Sequence, residues 1–291
     1  MRTFGQSDTL FGFLVTIFLF VKSDIKTTLV PITILSVSSA PLCTPDRIFP
    51  VVWWIFLHLL QFDTSNQILD VEEDAKNKPV RPLPAGRISL RHATILRWGL
   101  VPACWIISAL HGGPVLLSSM ALVLFTVLYN ELQANRHWLT KNIVTAIGFA
   151  SFEVGGTLIA GCHTSHMDAV GRLSVAISTA VFATTIHAQD FKDEAGDRLI
   201  GRLTLPIVSP QVGRASILPL LVTWSIALGF MWQLTWAYTV LLLCFSMLVG
   251  VRFLLMRSRT ADQTSFLLYN MWLSVVHMLP GYWRYLQHRD I

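Results

Sequence analysis

The sequence predicts an all-α, polytopic membrane protein with about nine transmembrane helices. Three observations carry that prediction. Of the 291 residues, 53% are hydrophobic and only 13% are charged, where a soluble domain would carry about a quarter. Nine apolar segments approach the roughly 20 residues needed to cross a bilayer. The basic residues also alternate. Fifteen Lys and Arg, from Lys76 to Arg259, sit in or beside the loops after even-numbered segments, and only Arg47 and Arg172 lie in the loops after odd-numbered ones. The net charge of +5 therefore reads as membrane topology and not as a nucleic-acid surface.

Taken in order, residues 10–20 are apolar but too short to span. An n-region with only Arg2 is weak for a signal peptide, so residues 1–24 are expected to form an N-terminal interfacial segment. Lys22, Asp24 and Lys26 mark the membrane boundary. Residues 25–291 would form a single membrane domain. Its spans are expected near 25–43, 47–65, 89–110, 114–133, 139–161, 167–189, 209–231, 234–256 and 262–283. Pro102, Gly148, Gly155 and Gly156 fall inside spans, which membrane helices tolerate when neighbours re-satisfy the backbone. The positive-inside rule places the N-terminus and the even loops in the cytosol. Arg284 and Arg289 in the tail are a small exception. Cys43, Cys104, Cys162 and Cys244 lie far apart and form no metal-type pair, and are expected to be buried free thiols.

Two polar stretches stand out. Asn66-Gln67-Ile68-Leu69-Asp70-Val71-Glu72-Glu73-Asp74 follows the second span and puts four acids into five residues. If the helix continues, Asn66, Asp70 and Asp74 share one face. After the sixth span, Asp190, Asp193 and Asp197 stand at i, i+3 and i+7, again one face. One such acid alone reads as solvated charge. Two matched sets at helix ends on the same side read as a site, because acids beside a membrane are costly without a partner. Hard oxygen donors in this setting suit Mg²⁺, which normally carries a phosphorylated substrate.

The first stretch continues as Asn77-Lys78-Pro79-x-Arg81-Pro82 and Gly86-Arg87-x-Ser89. The second continues as Gly196-Asp197-x-x-x-Gly201-x-x-Thr204-Leu205-Pro206. Together they resemble the two motifs of the UbiA superfamily of intramembrane prenyltransferases, and the likeness runs over nearly the whole chain. The usual Asp after the motif asparagine is Gln67 here. Glu72-Glu73 followed by Asn77-Lys78-Pro79 looks like the fungal branch, which includes membrane-bound terpene cyclases.

That resemblance implies a helical bundle around a central cavity capped by the cytosolic motif loops. It implies Mg²⁺ held by Asp70, Asp74, Asp190, Asp193 and Asp197, with Asn66 ligating directly or through water. Lys78, Arg81, Lys192, Arg198 and Arg202 are candidates to clamp the diphosphate, Arg offering a planar fork, although all five also serve as positive-inside signal. Tyr129, with Lys141 and Asn142, flanks the loop where a Tyr and a basic residue often help in this family. The expected activity is a Mg²⁺-dependent terpene cyclase acting on farnesyl diphosphate. The alternative is a prenyltransferase acting on an aromatic or polyketide acceptor. A multi-pass location in the endoplasmic reticulum is expected, with the lipid bilayer and the prenyl diphosphate as partners.

Other residues are open at this stage. Glu153, deep in the fifth span, either serves a carbocation or is a neutral acid bonded to a neighbouring helix. His187 reads first as a hydrogen-bonded interior histidine. None of the ten tryptophans is singled out as catalytic. A transporter is disfavoured because the acids stand at helix ends and not at the midplane. No Walker loop, nucleophile elbow or H-E-x-x-H helix is present, so those chemistries receive no support. Replacing Asp190 or Asp193 by Ala is expected to abolish turnover while leaving membrane insertion intact.

Overall fold

All nine expected spans are helical in the computed structural model, which describes residues 10–287; Arg2 and Arg289 lie outside it. A short helix α1 (Leu10–Val21) comes first, then a π turn (Ile25–Leu29) running into α2 (Val30–Ser39). After these come α3 (Ile48–Leu69), α4 (Val71–Asn77), α5 (Leu90–His111), α6 (Gly113–Tyr129), α7 (Trp138–Ala160) and α8 (Ala169–Thr185). The chain ends with α9 (Glu194–Leu199), α10 (Leu205–Val208), α11 (Pro210–Met231), α12 (Trp236–Leu255) and α13 (Arg259–Tyr282). Among the described residues there is no β-strand, only two isolated bridges.

Six segments are long and apolar enough to cross a membrane: Pro45–Leu69, Leu90–His111, Trp138–Ala160, Ala169–Leu199, Pro210–Met231 and Trp236–Leu255. The segment Ile25–Ser39 and α6 are shorter apolar helices. Helix α13 carries Asp262, Asn270 and His277 on its buried side, which lowers its apolar character. The expected count of nine thus includes three helices that length and composition alone do not qualify.

The bundle has two cores. One gathers Val51, Trp54, Ile55 and Leu59 of α3 with Phe152, Leu158 and Ile159 of α7, and Phe20 and Val21 of α1. The other gathers Val181 and Phe182 of α8, Ile217 and Leu221 of α11, Val249 and Phe253 of α12, and Tyr269, Trp272 and Leu273 of α13. The stacked rings of Phe149 and Phe182, with centroids 4.1 Å apart, join them. In a membrane, helices gain their contacts from close packing and interhelical hydrogen bonds. Both devices are present. A Cβ at Gly155 would collide with the Trp54 indole. The Trp54 Nε1–H donates to Ser108 Oγ at 2.8 Å, and that of Trp272 to Ser225 Oγ at 3.2 Å.

The cysteine expectation is corrected in part. Cys104 is a buried free thiol, and Cys244 is free but exposed. Cys43 and Cys162 form a disulfide with Cα atoms 5.0 Å apart. Their loops, after α2 and after α7, meet at the end of the bundle away from the acidic stretches. That loop–loop contact carries no local sequence signal.

Candidate active site

The acidic stretches are built by helix endings. Helix α3 stops at Leu69 because Asp70 leaves the helical region, with φ −111° and ψ 31°. Helix α4 restarts at Val71. Asn66, Asp70 and Asp74 therefore do not share one continuous helical face, as the spacing predicted. On the other side, α8 gives way at Ile186 to a 3-10 segment, Ile186–Asp193, before α9. Runs of 3-10 helix this long are uncommon and mark hinges or functional sites. The i, i+3, i+7 face predicted for Asp190, Asp193 and Asp197 is broken in the same way.

What reunites the acids is tertiary packing. Helices α4 and α9 lie against each other. Gly196 permits this, since a Cβ there would run into Asn77 and Glu73. Asn77 Nδ2 then donates to Glu73 Oε1 at 3.0 Å and to the Asp193 carbonyl at 3.3 Å. The hub is Arg202. Its Nη1 donates to Glu73 Oε2 at 2.9 Å and to Asp197 Oδ1 at 3.2 Å, and its Nη2 donates to Asp70. Arg81 donates from Nη1 to both oxygens of Asp74, at 2.7 and 2.9 Å, and from Nη2 to Asp24 at 3.3 Å. Lys141 donates to Asp190 at 2.6 Å in a buried pair, and Lys192 pairs with Asp193.

Electrostatics follows from that pairing. Burial pushes the Asp70 carboxyl above its ordinary range, and Arg202 pulls it back only in part. Asp74 is pushed up by burial in the same way against Arg81. At Glu73 burial is outweighed by Lys78 and Arg202, so its carboxyl is held below the usual range.

Beneath this rim lies a cavity of about 460 Å³ at the seam of the two cores, a size usual for small-molecule sites. Its mouth is polar: Asn66, Glu73, Lys78, Arg81, Lys141, Lys192, Asp193, Asp197 and Arg202. Its walls are apolar and aromatic, with Phe62, Phe125, Tyr129, Phe149, Phe152 and Phe266. A pocket with basic groups and acids at one end and phenylalanines below suits an amphiphile with an anionic head and a hydrocarbon tail.

The comparisons agree. The model of the UbiA prenyltransferase family matches residues 28–275. The chain belongs to this family. A fumagillin β-trans-bergamotene synthase from Aspergillus fumigatus is 34% identical over 275 residues, covering 92% of each chain. A digeranylgeranylglyceryl phosphate synthase from Methanococcus aeolicus is 32% identical over 171 residues, covering 57% of this chain and 53% of that one. A UbiA homologue from Archaeoglobus fulgidus, solved with DMAPP and Mg²⁺, superposes with a TM-score of 0.68 at 12% identity, covering 92% of this chain and 98% of that one.

Set against the UbiA motifs, the site residues divide into three groups. Asn66, Lys78, Arg81, Tyr129, Lys141, Asp193 and Asp197 line the cavity, as do Lys192 and Arg202. Asp70, Asp74 and Asp190 do not line it; each is tied to a cation that does, Arg202, Arg81 and Lys141 respectively. Arg198 stands apart from both. It is exposed, pairs with Glu194 one turn earlier in α9, and does not line the cavity. Gln67 is fully buried and donates to the Phe20 carbonyl at 2.9 Å. Its amide fixes α1 to α3.

Glu153 and His187 also find bland roles. Glu153 accepts from Ser178 at 2.5 Å, and Ser178 Oγ lies 3.0 Å from His277 Nε2; none of the three lines the cavity. His187 Nε2 lies 3.2 Å from the Gly213 carbonyl and 3.1 Å from Ser216 Oγ. No tryptophan lines the cavity. Sequence reasoning missed Asp24, Asp63 and the phenylalanines. Asp63 was detectable: it is an acid in an apolar helix, three residues before Asn66 and so on the same face.

Proposed function

We propose that this protein is a Mg²⁺-dependent, membrane-bound terpene cyclase that converts farnesyl diphosphate to a cyclic sesquiterpene and releases diphosphate. The observation that carries the reading is the phenylalanine-lined cavity beneath a mouth of paired acids and cations. The likeness to a β-trans-bergamotene synthase over 92% of both chains supports a cyclase.

The chemistry of the donors suits a divalent metal, although among the described residues no three acids are grouped as one ion would need. Asp190 Oδ2 and Asp197 Oδ2 are buried oxygens without a hydrogen-bond partner, and carboxylate oxygen is the ligand Mg²⁺ prefers. Asp190, Asp193, Asp197, Asp70, Asp74 and Asn66 would hold it. The metal would supply Lewis-acid neutralisation of charge on the departing diphosphate. Lys78, Arg81, Tyr129, Lys141, Lys192 and Arg202 would orient the same group by charge and hydrogen bonding. The apolar walls would exclude water from the allylic cation, and the phenylalanine faces would stabilise it electrostatically.

The acidic mouth faces the cytosol in this reading. The disulfide gives support independent of charge counting, because Cys43–Cys162 lies at the opposite end and disulfides persist in oxidising compartments such as the lumen of the endoplasmic reticulum. The N-terminal segment to residue 24 would rest at the membrane interface, its outward Phe11, Phe13 and Phe18 in lipid.

Membranes carrying the protein, given farnesyl diphosphate and Mg²⁺ without an acceptor, should yield a cyclic hydrocarbon by gas chromatography and mass spectrometry, lost on adding a chelator. The Methanococcus relative keeps transfer to an acceptor as the second reading. No hydrocarbon, but a prenylated product once a phenolic acceptor is added, would establish that reading instead.

A further inference from the structure

Five described glycines have nothing within 4 Å of where a Cβ would stand: Gly86, Gly99, Gly113, Gly148 and Gly201. Two are explained by conformation, since Gly86 and Gly201 have φ of +67° and +70°, which L side chains rarely adopt. Gly113 opens α6 directly after Gly112. Gly99 faces outward on α5, where lipid would surround it. Gly148 differs from all of these. It is in the interior of α7, at ordinary helical angles, and it lines the cavity. The empty space above its Cα is the cavity itself.

A glycine inside a helix is locally unfavourable unless something uses its lack of a side chain. Gly155 and Gly156 on the same helix use it for packing, against Trp54 and Ser36. No neighbour presses on Gly148, so packing does not account for it. Its depth is informative. Lys141, at the polar mouth, and Gly148, Phe149 and Phe152 lie on the cavity side of α7. At 1.5 Å rise per residue, Gly148 stands about 10 Å below Lys141 along the helix axis, and Phe152 about 16 Å below. Gly148 therefore widens the lower half of the cavity, above its aromatic floor.

We infer that Gly148 sets prenyl chain length, because the space left by its missing side chain receives the last isoprene unit of a farnesyl chain, which a geranyl chain lacks. This rests on the prenyl-diphosphate reading of the cavity. A side chain at 148 would fill that space and leave the diphosphate-binding mouth untouched. In apolar pockets a mismatch of one methylene changes discrimination by about 10- to 200-fold.

The test uses the purified full chain with Mg²⁺ and three probes: the unreactive thiolodiphosphate analogues of geranyl and farnesyl diphosphate, and inorganic pyrophosphate. Gly148→Leu should weaken the farnesyl analogue at least about tenfold and leave the geranyl analogue and pyrophosphate within about twofold. Gly148→Ala, which disturbs the helix least, should move the farnesyl-to-geranyl ratio in the same direction by less. Gly99→Leu, the same substitution facing outward, should leave the ratio unchanged. An unchanged ratio in both Gly148 variants overturns the inference, as does an equal shift in Gly99→Leu. If the unaltered protein binds pyrophosphate but neither prenyl analogue, the prenyl-diphosphate reading fails instead.

Discussion

The protein buries acids in two places and treats them differently. At the mouth of the cavity every motif aspartate has a cation against it, and the cations face open space. At mid-bundle, Glu153, Ser178 and His277 meet one another, and none of the three lines the cavity. Burying charge costs several kcal/mol per ion unless it is paired, and a partly satisfied polar network is costly. Each site leaves buried carboxylate oxygens without a hydrogen-bond partner, Asp190 Oδ2 and Asp197 Oδ2 in the first and Glu153 Oε2 in the second, but only the first has cations lining a cavity, able to exchange partners when a ligand arrives. Depth in the membrane, which made Glu153 a candidate from sequence, is thus a weaker guide to chemistry than access to a cavity.

The largest expected effect breaks the mouth. Asp193→Asn should lower turnover of prenyl diphosphate by at least about 100-fold, a loss of about 2.7 kcal/mol in transition-state stabilisation. Asp193 suits this test because it and Lys192 are each about one-fifth exposed. Asp190 suits it less. Removing Asp190 strands buried Lys141, which costs about 3–5 kcal/mol and mixes stability with chemistry. Turnover by Asp193→Asn within a fewfold of the unaltered protein would remove Asp193 from the site.

A middle effect is expected at mid-bundle. Glu153→Gln keeps an acceptor for Ser178 and should change turnover by less than about threefold. Glu153→Leu leaves the serine and histidine without that partner and should lower the melting temperature by several degrees, in line with about 1–3 kcal/mol for an unsatisfied buried group. Loss of product in Glu153→Gln with unchanged melting would move Glu153 into the chemistry. The smallest effect is expected at Arg198. Its pair with Glu194 is exposed, and such pairs contribute about 0.3–0.5 kcal/mol. Arg198→Ala should leave KM for the prenyl diphosphate within about twofold, and a tenfold rise would return it to the mouth.

Much of this was legible in the residues. Span positions follow from apolar length, and most helix boundaries fall within a few residues of those expected. The gathering of two acidic stretches follows from charge on one side of the membrane. The break at Asp70 and the 3-10 segment before α9 were not legible, because helical spacing was extended past the point where packing of α4 on α9 overrides it. Asp24 pairs with Arg81 across a sequence gap that no periodicity spans. The disulfide and the role of Gly196 depend equally on which loops meet. No tryptophan was singled out from the sequence, and phenylalanines line the walls; an indole N–H needs a partner when buried, and Trp54 and Trp272 spend theirs on helix contacts.

The attachment of α1 through Gln67 carries a lesson for grafting between relatives. The family match begins at residue 28, yet Ser23 and Asp24 line the cavity and both accept hydrogen bonds from Arg81. Gln67 holds the Phe20 carbonyl, so the wall is anchored from inside the first motif. A chimera that exchanged only the matched region would carry every motif acid and still lack its native upstream wall. The swap has to begin at α1, and position 67 has to travel with it.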